Sequence, residues 1–151
     1  IENHTDTHPN LFAAMGWRRM AQQVAGGQAA VEAVTGRAPR FFRAVAGLRN
    51  PWLDPILARQ GLRLAAWTRR GYDTRTGDAE AVYQRLTRGL AAGDVLLMHD
   101  GHAARTPSGQ PVVLAVLPRV LAALQAQGLR CVPLADAVPE TTTMEWRGIT
   151  V

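Results

Sequence analysis

Short apolar runs alternate with longer stretches of helical periodicity from one end of this chain to the other, and that alternation constrains the fold more than any other feature. Trp17, Met20, Val24, Val31 and Val34 recur at roughly helical spacing, with Thr35-Gly36 and Pro39 as a stop and Gly26-Gly27 as a candidate interruption. Residues 41–45, bounded by Pro39 and Gly47, read as a strand. Residues 51–60 read as a helix closed by Gly61, residues 62–68 as a strand, and residues 78–91 as a helix capped by Asp78 and stopped by Gly93. Val95-Leu96-Leu97-Met98-His99 is the clearest buried strand. A helix over 113–127, ended by Gly128, and a strand at 130–134 complete the series. Such alternation predicts an α/β protein with a parallel sheet wrapped by helices. No repeat or linker divides the chain, so residues 1–151 read as one domain.

Composition narrows the class. With 151 residues, 47% of them hydrophobic, one core can be filled. The longest apolar run, around Val112 to Leu124, is broken by Pro118 and Arg119, which argues against a transmembrane segment. A net charge of +5 invites a nucleic-acid partner. Yet the basic residues stand singly or in pairs such as Arg18-Arg19 and Arg69-Arg70, without a basic run or basic-aromatic interleaving, so no nucleic acid is expected. All 17 are arginine, as a codon bias would produce. The single Cys131, within an apolar stretch, reads as a buried strand thiol and excludes an intrachain disulfide.

The polar residues that break this pattern are the candidates for chemistry. His4-Thr5-Asp6-Thr7-His8 places two imidazoles four residues apart, on a helical turn or a tight loop, as two ligands of one metal would be. Zinc takes imidazole nitrogen at about 2.0 to 2.1 Å, and its catalytic sites use three protein ligands and an open position, so a third ligand must come from elsewhere. Surface histidines of a frayed terminus would look the same. In parallel α/β folds the active groups gather at the carboxyl ends of strands. That rule brings Arg43, the segment 68–73, and His99-Asp100-Gly101-His102 to one rim. Singly, His99 reads equally as a core histidine, Arg43 as a snorkelling side chain and Asp73 as a turn cap with Gly71.

In order, these segments resemble the motifs of the polysaccharide deacetylases, the NodB-like domain of carbohydrate esterase family four. His4-Thr5-Asp6-Thr7-His8 matches the family's H-[ST]-x-x-H. Arg43-Ala44-Val45-Ala46-Gly47 keeps the Arg and Gly of R-P-P-Y-G and lacks its prolines and tyrosine. Trp67 to Asp73 matches a tryptophan-led strand ending in Asp, with Thr74 where many members have Trp. Leu97-Met98-His99 matches L-x-H. The resemblance implies an incomplete (β/α) barrel of the polysaccharide deacetylase type and metal-dependent hydrolysis of N- or O-acetyl groups on a carbohydrate polymer or glycoconjugate. It also implies an extracytoplasmic or membrane-associated setting.

By that resemblance His4 and His8 hold a divalent metal, most often zinc, and His99 protonates the departing amine or alcohol. Asp73 orients His99, and Arg43 holds the carboxylate base. The backbone N–H at Ala46 helps stabilise the oxyanion, and Leu97 lines the acetyl pocket. The family's T-F-D-D motif, which supplies the base and the third metal ligand, has no counterpart in these residues. The chain is therefore expected to be a fragment lacking the first strand-helix unit, inactive or nearly so, binding zinc weakly and prone to self-association through exposed sheet edges. A non-catalytic relative that keeps a saccharide-binding cleft or serves as a structural partner is the alternative.

Overall fold

Met20 and Val24, one helical turn apart, are both fully buried along the inner face of α1 (Trp17–Thr35), and the first core cluster gathers on that face. The computed structural model describes residues 1–138. After α1 come β1 (Phe41–Phe42), α2 (Leu53–Arg59), β2 (Arg63–Leu64), β3 (Arg69–Arg70), α3 (Ala79–Thr87), β4 (Leu96–Leu97), α4 (Val112–Ala126) and a short α5 (Leu134–Ala137). β1 pairs in parallel with β2, Phe41 opposite Arg63 and Phe42 opposite Leu64, and Asn3 extends this ladder by a parallel bridge to Phe42. β3 pairs in parallel with β4, Arg69 opposite Leu96 and Arg70 opposite Leu97. Each pair is joined through one helix, the crossover that parallel strands require.

The core follows the same division. Phe12, Met20, Val24, Phe42, Val45, Leu53, Ile56 and Leu57 form one buried cluster. Val82, Leu86, Leu90, Val112, Val116, Val120 and Leu124 form another, where α3 packs on α4. Pro118 sits within α4 on its exposed side, where a missing N–H and a displaced carbonyl can meet water. No helix of the described residues is long and apolar enough to cross a membrane.

Several expectations are corrected. The helix at 17–35 is not interrupted at Gly26-Gly27. A Cβ at Gly27 would fall 2.4 Å from Oδ1 of Asn3 and 2.8 Å from the carbonyl carbon of Thr5, so the glycine serves close approach of another segment and not a break. Trp17 and Val34 share the helical spacing but stand 48% and 86% exposed. The strand expected at 62–68 is two: Ala65 N–H still donates to Phe42 O, and by Thr68 the chain bonds instead to Val95 O, which starts the second ladder. The strand at 130–134 is absent. Pro133 has no N–H to give a ladder, and its carbonyl accepts from Asp136 and Ala137 to begin α5. Cys131 is consequently exposed, not buried.

At the end of the strands away from the predicted rim, Asp94 ties the second ladder together. Its carboxylate accepts from Thr68 Oγ1 at 2.7 Å, Arg69 Nε at 2.5 Å and Ala91 N at 2.9 Å. These hydrogen bonds, first from Thr68 and then from Arg69, hold its pKa down to about 2. A carboxylate depressed on folding stabilises the native state above its unfolded pKa, about 3.9, and that stabilisation fades as pH falls toward 2. Asp94→Asn should therefore flatten the acid limb of stability between about pH 4 and pH 2, as measured by urea midpoints. Gly27→Ala should cost about 1–3 kcal/mol in the same assay through overpacking.

Candidate active site

Asn3 fixes the segment that carries the two histidines. It is 1% exposed; its N–H donates to Phe41 O, its carbonyl accepts from Arg43 N, and its side chain donates to Val24 O of α1 at 2.8 Å. Oδ1 of Asn3 accepts from Thr5 N, Thr5 Oγ1 accepts from His8 N, and Gln23 of α1 accepts from Thr7. The result is a tight loop and not a helical turn, with Thr5 at φ 74° and His8 at φ 50°. The loop brings the His4 and His8 rings edge to face, centroids 4.9 Å apart.

His4 Nδ1 lies 2.7 Å from Arg43 O, and because a carbonyl can only accept, Nδ1 carries the proton. In the neutral ring the lone pair is then on Nε2. Partial burial lowers the pKa of His4, outweighing the carbonyl contact, and the charges of His8, Arg43 and His99 lower it further. The neutral, ligating form is thereby favoured.

Arg43 follows β1 directly. Its guanidinium is half-buried, which lowers its pKa, and its Nε has no hydrogen-bond partner. The chain then enters a turn closed by Gly47 N to Ala44 O at 2.9 Å, in which Ala46 adopts φ 53°, ψ 10°.

Asp73 and His99 meet from adjacent strands. Asp73 is fully buried and accepts twice from His99: from the backbone N–H at 2.7 Å and from Nδ1 at 2.9 Å. The second bond puts a proton on Nδ1 and aims Nε2 away from the carboxylate, as in a positioned general acid or base. His4, Arg43, Leu97 and His99 line one groove of about 410 Å3, together with Phe41, Ala65 and others. Ala46 is exposed on the neighbouring turn and is not part of that lining. Thr5, His8, Ala46, Tyr72 and His102 are the non-glycine residues at left-handed φ among those described, and each lies in or beside one of the motifs. Such strain persists only where surrounding structure over-determines it.

The donors present suit part of a metal site. Two close imidazoles, one with its far nitrogen anchored to a carbonyl, are the usual half of a zinc centre with its outer support. Among the described residues, no group of three or more His, Cys, Asp or Glu stands together to complete it. Asp6, between the histidines, lies instead against Gly26 of α1.

Residues 1–65 match the family model for polysaccharide deacetylase. The chain also superposes on the family 4 carbohydrate esterase from Streptomyces lividans in complex with acetate, at 28% identity and TM-score 0.76, covering 90% of this chain and 66% of that one. Both matches point to the polysaccharide deacetylases, which this chain resembles. The Bc1960 peptidoglycan N-acetylglucosamine deacetylase is similar at 26% identity and TM-score 0.74, over 89% of this chain and 60% of that one. A bifunctional xylanase/xylan deacetylase from Cellvibrio japonicus is 25% identical over 129 residues, 85% of this chain and 18% of the relative. The chain thus spans less than two thirds of each of these relatives.

Three residues that build this site act through contacts that the local sequence signals only weakly. Asn3 had no periodic signal, and only its place next to His4 pointed to it. Gly27 was legible as a conflict between a helical pattern and two adjacent glycines. Trp67 leads a motif, and its packing against Gly47 has no local signal. Asp73→Asn should cost about 1–3 kcal/mol in urea unfolding, because an amide has one acceptor oxygen and its NH2 would face the second N–H of His99.

Proposed function

We propose that this chain carries much of the active site of a metal-dependent deacetylase, which removes N- or O-acetyl groups from a carbohydrate polymer or glycoconjugate. The observation that carries this reading is the placing of His99, oriented by buried Asp73, in the same groove as His4 with its free Nε2. One wall can deliver a proton and the other can hold a cation. The relatives support the substrate class, being named for xylan and for N-acetylglucosamine of peptidoglycan.

His4 and His8 would hold the divalent cation, zinc by the preference of paired imidazoles, and the cation would polarise the acetyl carbonyl and acidify a bound water. His99 carries a proton at Nε2 to the departing nitrogen or oxygen while Asp73 keeps the ring from rotating. Leu97, 6% exposed in the groove lining, offers the acetyl methyl an apolar contact and excludes water there. The N–H at Ala46, in the turn that follows Arg43, would serve as the backbone donor for developing negative charge. Arg43 Nε, buried and unpartnered, suits a carboxylate. No third metal ligand stands with His4 and His8 among the described residues, and we assign that ligand and the base carboxylate to residues other than these.

Acetate release from acetylated xylan and from N-acetylglucosamine oligomers tests the reading. The natural protein should release acetate from at least one, and His99→Ala should lower the rate by about 10²-fold or more with sugar binding retained. The 151-residue chain alone should bind zinc weakly in calorimetry, with His4→Ala abolishing the heat. Full acetate release by the His99→Ala protein would overturn the assignment.

A further inference from the structure

The turn at 44–47 and the Asp73–His99 pair are joined by side chains that neither strand ladder explains. Trp67, in the link between β2 and β3, lays its indole against Gly47: a Cβ there would come 2.3 Å from Cη2 and 3.0 Å from Cζ2. The guanidinium carbon of Arg70 lies 5.6 Å from the Trp67 ring centroid and 4.7 Å from that of Tyr72. Nε of Arg70 is buried with no hydrogen-bond partner, so aromatic faces hold this cation where a carboxylate would be usual. Arg85 lies over Tyr72 as well, at 5.8 Å. Tyr72, at φ 60°, directly precedes Asp73.

The turn needs such support. Ala46 is left-handed without being glycine, Gly47 follows at φ 72°, and Ala44 and Val45 supply none of the rigidity that proline would. Two local hydrogen bonds, Gly47 N to Ala44 O and Leu48 N to Val45 O, are all the backbone contributes.

We propose that Trp67 and Arg70 are positioning residues. The indole pins the Ala46–Gly47 turn, and the guanidinium shared by Trp67 and Tyr72 links that turn to the segment carrying Asp73, which sets the distance between the Ala46 N–H and His99. The catalytic consequence rests on the deacetylase reading, whereas the mechanical link does not.

Amide hydrogen exchange on the 151-residue chain tests the link. Trp67→Ala should speed exchange at Gly47 and Leu48 by about tenfold or more and leave the buried face of α4 unchanged. Arg70→Met, which keeps length and loses the cation, should speed the same two amides and also the His99 amide that donates to Asp73. Arg70→Lys should fall between. If Trp67→Ala unfolds the chain, Trp67→Phe, which keeps a smaller ring, takes its place with the same expectation. Unchanged exchange at Gly47 and Leu48 in both Trp67→Phe and Arg70→Met overturns the link. In the natural protein the same variants should lower kcat with KM held within about twofold; an unchanged kcat despite a loosened turn overturns the positioning role. Loosened amides in a natural protein that releases no acetate would uphold the link and remove the deacetylase reading instead.

Discussion

Asn3 is the contact on which the site depends. A buried amide must satisfy its donors and acceptors, and this one does so by touching the strand, the helix and the loop at once. Its backbone continues the ladder of β1, its NH2 group reaches α1 at Val24, and its oxygen takes the N–H of Thr5. Because Gly27 has no side chain, the loop can sit directly on the helix. The orientation of His4 and His8 is thus inherited from the first core cluster, through one asparagine and one glycine.

His99 and Asp73 inherit theirs from the other cluster. β3 and β4 run parallel, α3 and α4 cover them, and the carboxyl ends of these strands bring Asp73 beneath His99. The groove is lined from both ladders, by Phe41 of β1 and Leu97 of β4. Asp94, with Thr68 and Arg69, fastens the opposite ends of the same strands, so one end of the ladder is held by ion pairing and the other is left for chemistry.

The order of elements was legible because α1, α2, α3 and α4 carry clear helical spacing with glycine or proline near their ends, and because Phe41-Phe42 and Leu96-Leu97 are short apolar runs between them. The site was legible for a related reason: Arg43 and His99 each end an apolar strand, and Asp73 closes the segment after β3. What sequence could not supply was tertiary. The two glycines of α1 break a propensity, and only the loop packed against them explains why the helix continues. Residues 130–134 have strand-like composition, and Pro133 overrides it. Asn3 and Trp67 act through partners more than 19 positions away, Val24 and Gly47 among them, which no local pattern encodes.

The division of the core into two clusters has a thermodynamic consequence. His4 and Arg43 flank the ladder of β1, whose Phe42 lies in one cluster, Leu97 and His99 lie on either side of Met98, which packs on the other, and they share one groove. A molecule that contacts both walls gains its binding energy only while the two clusters keep their mutual alignment. Occupancy of the groove therefore stabilises the aligned arrangement of the two separately packed halves, by an amount that grows with ligand concentration.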